Sequence, residues 1–247
     1  MQRRTFSLAL ATSPGLLRAV PGPASTRVLV GDAAPYSYRR ADGALQGAAV
    51  EILQLAATRL KREVRLELMP FARILHEAAR PEPLLVMPPA RLPAREDLLL
   101  WLAPMIDVRF MLFALADSKV DIASLDAARA LKVGGLRSAG MVELIESAGF
   151  RKLEMVASNE TALRMLKAGR VEALLTADHS VCHGLREMGM PYSAVREGAL
   201  LQKVQLWLAA SKALPEPELQ AWRQAVEALR REGLVEPVLR RAGLLAG

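Results

Sequence analysis

Short apolar runs and amphipathic stretches alternate along this chain. Val28-Leu29-Val30 reads as a buried strand ending at Gly31, and Asp42-Gly43 marks a turn. From Gly47 the apolar positions Val50, Leu53, Ala57 and Leu60 recur at helical spacing. Val64, Leu66 and Leu68 then alternate with Arg65 and Glu67, the pattern of a half-buried strand. Phe71, Ile74, Leu75 and Ala78 predict a short helix, and Leu84 to Met87 another strand. Residues 98–116 approach the length of a membrane span, but Pro104, Asp107 and Arg109 lie in their middle, where charge is costly in lipid. Two buried strands with a break between them are the expected alternative.

A second series follows. Ser124 suits the N-cap of a short helix ahead of a strand at 132–135. Residues 140–148 read as a helix with Gly149 at its end, 153–156 as a strand, and 159–167 as a helix closed by Gly169. Residues 171–175 read as a strand, 179–188 as a helix, 200–210 as extended, and 216–242 as helical with a break at Gly233. Alternation of this kind predicts an α/β protein with mostly parallel pairing. Two series, each opening on a strand and a glycine-containing turn, predict two lobes. Ligands of α/β sheets lie beyond the carboxyl ends of strands, which directs attention to the loops after 28–30, 84–87 and 132–134.

Composition narrows the function. Hydrophobic residues are 52% of the 247 and charged residues 24%, values of a globular chain with an ample core. The net charge is +7, but the first 24 residues carry Arg3, Arg4 and Arg18 and no acid, so the remainder has +4. Its basic residues are dispersed and aromatics are only 4%, without the basic-aromatic interleaving that stacks bases. Nucleic acid is therefore not the expected partner, and the basic excess suits small anions. The single cysteine, Cys182, cannot form an internal disulfide. At the N-terminus, paired arginines precede a short apolar stretch and the small residues of 21-PGPAST-26. Residues 1–24 are read as an export signal, and QRRTF is similar to a twin-arginine signal. The expected location is the periplasm.

Several short motifs occur in a telling order. Pro35-Tyr36-Ser37-Tyr38 precedes the Asp42-Gly43 turn, and Gly47-Ala48-Ala49-Val50-Glu51-Ile52 opens a helix. Pro70-Phe71-Ala72-Arg73 follows, then Arg91-Leu92-Pro93-Ala94-Arg95-Glu96 with an apolar tail to Pro104. Val133-Gly134 leads to Arg137-Ser138-Ala139-Gly140. Gly169-Arg170-Val171-Glu172-Ala173 and Leu229-Arg230-Arg231-Glu232-Gly233 complete the series. Over roughly 27–242 this order resembles the family 3 extracellular solute-binding proteins, the receptors of amino-acid-type ABC importers. The resemblance implies a periplasmic-binding-protein-like type II fold, with two α/β lobes joined by two crossover strands. Lobe 1 would comprise 27–107 plus 206–247, and lobe 2 would comprise 108–205.

By resemblance, Arg95 grips a ligand carboxylate, for which a guanidinium offers matched paired donors. Arg91 and Arg73 are candidates for a second anionic group or for framing the site. Without the resemblance all three read first as solvated loop charges. Tyr36, Tyr38 and Phe71 are read either as pocket walls or as ordinary packing. Arg137, Ser138 and Ala139 fall where a helix begins, whose free amides favour an anion, or they form a plain cap. Asp178 stands one residue beyond the position at which amino-acid binders of this family hold the ligand ammonium. On a strand that shift reverses the side chain's face, which leaves a carboxylate lacking the amine as a credible ligand beside an amino acid. His179 and His183, four apart beside Asp178 and Cys182, have a spacing that also suits zinc or copper. His76-Glu77 is followed by Arg80 where a zinc-protease helix needs histidine.

The sequence thus predicts an exported, monomeric receptor without a cofactor, binding an amino acid or organic acid and docking on an ABC permease. The rival readings are an enzyme of the same fold, similar to cyclohexadienyl dehydratases, and a sensory binding module without a permease. No Ser/His/Asp triad or close acid pair argues for the enzyme.

Overall fold

The structure, a computed structural model, describes residues 25–40, 42–136, 148–156 and 158–245. The export-signal reading of 1–24, all but the last residue of the helix expected at 140–148, and the candidate residues Arg137, Ser138 and Ala139 lie outside the described residues.

Ten strands and seven helices are described. The strands are β1 (Thr26–Gly31), β2 (Tyr38–Arg39), β3 (Leu45–Gln46), β4 (Val64–Met69), β5 (Leu85–Met87), β6 (Leu100–Leu115), β7 (Lys132–Leu136), β8 (Lys152–Val156), β9 (Ala173–Ala177) and β10 (Val195–Ala210). The helices are α1 (Ala48–Leu60), α2 (Phe71–Ala78), α3 (Leu125–Ala128), α4 (Asn159–Lys167), α5 (Asp178–Glu187), α6 (Glu216–Arg231) and α7 (Val235–Arg241). Eight strands form one sheet in the order β4-β1-β5-β10-β6-β9-β7-β8. Pairing is parallel within β4-β1-β5 and within β9-β7-β8, and antiparallel along β5-β10-β6-β9. The fold is therefore α/β with two halves, joined by the long strands β6 and β10.

Both faces of each half are covered, which explains the unbroken apolar runs. Val28 and Val30 point into a core with Ile52, Leu53 and Trp222, while Leu29 points the other way, onto Ile74, Leu84 and Val86. Alternation along β6 repeats this in the second half. Met111 and Phe113 pack with Leu163 and Leu166, and Leu112 and Ala114 with Val133 and Leu175.

Two expectations are corrected. Residues 98–116 are not two strands with a break, because β6 runs unbroken for 16 residues. Pro104 is accommodated where the register with β10 jumps a residue, between the pairs Ile106–Leu206 and Pro104–Trp207. A bulge there absorbs the missing proline donor. The strand expected at 171–175 lies two residues later, at Ala173–Ala177. Asp178 is the first residue of α5, so strand alternation does not govern its side chain.

Candidate functional site

The Pro35–Tyr38 motif forms a tight turn between β1 and β2. Ala33 and Ser37 bridge one another, and the Ser37 hydroxyl donates to the Gly31 carbonyl at 2.6 Å. The turn lies on the start of α1, whose Ala49 N–H donates to the Tyr36 carbonyl at 2.9 Å. Gly47 permits this approach. Its φ is 127°, and a Cβ there would lie 2.3 Å from the Tyr36 oxygen. The G-x-x-V motif thus fixes Tyr36 at the junction of the two halves.

A cavity of about 720 Å³ opens at that junction. Asp107, Val108 and Arg109 of β6, and Lys203, Val204, Gln205 and Trp207 of β10, form one wall. Arg91, from the loop after β5, borders it from the first half, and Asp178 borders it from the second. Asp107 pairs with Gln205 and Arg109 with Lys203 across the ladder, so register places these polar side chains together.

Asp178 is the most heavily engaged group. Arg109 Nε donates to Oδ2 at 2.8 Å, while the backbone N–H groups of His179 and Arg109 donate to Oδ1 at 2.8 and 3.3 Å. Arg109 also binds Glu197, which accepts from the Tyr192 hydroxyl at 2.7 Å. Burial, then the bond to Glu197, pushes the Tyr192 hydroxyl well above its usual range. Asp107 accepts from Gln205 at 2.7 Å and from Arg230 at 2.7 Å. Burial alone would raise the Asp107 carboxyl, but these two bonds outweigh it and hold it low. Lys203 makes no ion pair among the described residues.

The two arginines of the R-x-P-x-R motif diverge. Arg91 is bound by Glu96, through Nε to Oε2 at 3.0 Å and through a second bond. Its guanidinium also lies 4.6 Å from the Trp207 ring and 5.5 Å from Trp101. Arg95 is half-buried, stacks on Phe71 at 4.4 Å and donates to the Ala90 carbonyl at 3.4 Å. Arg91 and Asp178 therefore share the cavity, and Arg95 and Phe71 meet each other outside its lining. Arg73 is exposed on α2 and is not part of the cavity lining.

Tyr36 and Tyr38 reach the second half. Tyr36 meets His179 and Tyr38 meets His183, each pair with ring centroids 5.9 Å apart. Tyr36 in the turn and Tyr38 at the start of β2 thus face residues one turn apart on α5. Among the described residues no three His, Cys, Asp or Glu side chains converge as metal ligands. Burial lowers the pKa of both histidines and pushes the Cys182 thiol up to about 11, which leaves little reactive thiolate.

Arg109, Lys203, Gln205 and Trp207 were not among the residues predicted for the site. The signal for Arg109, Lys203 and Gln205 lay in the sequence as charged and polar positions within otherwise apolar strands, at 107–109 and 203–205, whereas Trp207 carried none.

No family model matches the chain, and no curated protein matches it. Solved structures do. The ligand-binding core of GluR0 complexed with L-glutamate aligns with TM-score 0.75 at 13% identity, covering 89% of this chain and 98% of that one. A histidine kinase sensor domain with similarity to periplasmic binding proteins aligns with TM-score 0.73 at 20% identity, over 89% and 96%. The amino acid ABC transporter substrate-binding protein AbpA from Streptococcus pneumoniae, bound to L-arginine, aligns with TM-score 0.68 at 19% identity, over 88% and 94%. At these identities the likeness is one of fold. The chain has the periplasmic-binding-protein-like architecture that the motif order implied.

Proposed function

We propose that this chain is an exported solute-binding receptor that captures a small anionic or zwitterionic metabolite, an amino acid or organic acid, by hinge closure. One observation carries the reading: the cavity is bordered by Arg91 from one half and Asp178 from the other, across the strands that join them. A molecule that contacts both borders stabilises the closed arrangement, which is all that hinge closure requires. The lobes of the proposal are 27–107 plus 206–247 and 108–205, with the hinge within β6 and β10. Arg91 and Lys203, which line the cavity, are assigned to anionic groups of the ligand. Arg95, for the carboxylate, and Tyr36, Tyr38 and Phe71 stand outside that lining and are assigned to contacts that form as the halves close. Asp178, which lines the cavity, is assigned to the ligand, and Arg73, Arg137, Ser138 and Ala139 are candidates from the motif order alone. The partner of the closed form is an ABC permease, and the receptor acts as a monomer.

A thermal-shift screen of residues 25–247 against amino acids and organic acids tests this. A ligand at a hundred times its Kd stabilises the folded state by about 2.7 kcal/mol, a readily seen shift. Absence of any shift across both classes rejects the receptor reading. Retention of the chain in the cytoplasm after Arg3→Lys and Arg4→Lys replacement would support the export signal, and unchanged export would reject its twin-arginine form.

A sensory module is the second reading, favoured by the fold shared with a histidine kinase sensor domain. Ligand-loaded protein that stimulates the ATPase of a reconstituted ABC permease argues for transport, whereas stimulation of a kinase alone argues for sensing.

A further inference from the structure

Three contacts between the two halves, away from β6 and β10, fall on one face of α5. His179, His183 and Arg186 stand four and three residues apart, the spacing that sets side chains in one row along a helix. Tyr36 meets His179 and Tyr38 meets His183, each with ring centroids 5.9 Å apart. Arg186 lies against the C-terminal turn after α7, where a Cβ on Gly243 would meet its guanidinium and lie 3.0 Å from its Cδ. A second cavity, of about 500 Å³, adjoins this row. Glu51, Gln54 and Arg241 border it from the first half, and His183, Arg186 and Glu187 from the second.

The contact is poised. Tyr36 is 6% exposed and His179 5%, yet the Tyr36 hydroxyl and His179 Nδ1 have no hydrogen-bond partner among the described residues. Parting the halves would return both atoms to water, so their burial works against the closed arrangement. The same burial disfavours a proton on either imidazole and is the largest influence on each. Around His179, Asp178 and Asp107 favour the proton and Arg109 opposes it. Around His183, Glu187 favours it and Arg186 opposes it. Glu51 and Arg241, which share the second cavity with His183 from the first half, pair with each other.

We infer that this face of α5 is the surface on which the receptor closes, and that it closes only with both imidazoles neutral, so that acid opens the hinge and releases the ligand. The inference rests on the receptor reading above. α5 belongs to the second half, and the Tyr36 turn, β2 and the turn after α7 belong to the first, so motion within β6 and β10 separates the two surfaces. Once exposed, each imidazole takes up a proton as pH falls below about 6.5. Reclosing would then bury a charge, and at His183 would do so one turn from the like charge of Arg186. Protons that favour the open form thereby oppose a ligand that favours the closed one, and the coupling is reciprocal.

Small-angle X-ray scattering of the full chain at pH 8 and pH 5, without ligand, tests the closing face. The radius of gyration is expected to be larger at pH 5, and the variant His179→Leu with His183→Leu to keep one value at both. An unchanged radius in the wild type overturns the inference, as does an equal expansion in the variant. If the double variant fails to fold, His183→Gln, at the half-buried position, decides in its place. Its radius should change less with pH than that of the wild type, and an equal change overturns the inference. Calorimetry with L-arginine and L-glutamate separates the switch from the receptor reading. Whichever binds at pH 8 is expected to bind about tenfold or more weakly at pH 5, and the variant to lose that difference. Equal affinity at both pH values overturns the switch and leaves the receptor reading intact. Acid opening without binding of any acid or amino acid in the wider screen keeps the closing face and overturns the receptor reading.

Discussion

Arg109 Nε lies 2.8 Å from Asp178 Oδ2, tying the middle of a crossing strand to the first residue of α5. Asp178 also stands in the first turn of that helix, where a negative charge complements the helix dipole. Its replacement removes both interactions and leaves Arg109 with Glu197 only. The Arg109 side chain is 45% exposed, so solvent screens part of the loss. Asp178→Ala is expected to lower unfolding stability by about 1–2 kcal/mol, read as a lower urea midpoint at unchanged slope.

Arg95 stacks on Phe71 at the edge of the first half. A partly exposed cation–π contact is worth about 0.5–1 kcal/mol, so Arg95→Ala should fold with only a small drop in Tm. The same variant is expected to lose the thermal shift produced by whichever carboxylate stabilises the wild type. An unchanged ligand shift would remove Arg95 from the site.

Burial holds His179 and His183 below the usual histidine value of 6.5. Each imidazole is thus harder to protonate in the folded chain than in the unfolded one. Above about pH 6.5 neither affects stability, and as pH falls from there through the lower folded values the unfolded state takes up protons first. The urea midpoint should therefore decline between pH 7 and 5. A separate decline should follow below about 4.5, where Glu67, held low chiefly by its hydrogen bond to Arg27, loses its charge. His179→Leu with His183→Leu should flatten the first decline and leave the second. A first decline of undiminished size would show that other groups cause it.

Gly47 holds φ 127° with the Tyr36 carbonyl pressed against its α-carbon. Gly47→Ala combines backbone strain with a backbone clash, at a cost of about 2 kcal/mol or more. It should also displace Tyr36 and weaken binding. Circular dichroism melting and calorimetry on the same preparation would separate the two effects. A stable variant with normal binding would contradict the role given to this turn.

The order of strands and helices was legible because periodicity is written in contiguous residues. Val64, Leu66 and Leu68 alternate, and α1 follows the helical spacing from Gly47. The break expected near Pro104 was not there, because a register shift with β10 accommodated the proline, and a partner strand is invisible from one strand alone. The strand-face argument about Asp178 did not apply for a related reason. Two residues of uncertainty at a strand end decided whether strand or helix geometry applied.

From its amino acids alone, this protein was committed to α/β alternation, two series of elements and arginines beside apolar segments. Those properties depend on neighbours in the chain. Folding alone decided that Arg91 would lie against Trp207 and Glu96 while Arg95 turned to Phe71. It also decided that Arg109 would occupy Asp178 and that Tyr36 would meet His179. Such encounters arise from ladder register and the closing of loops over long separations, where local pattern carries no information about which side chains meet.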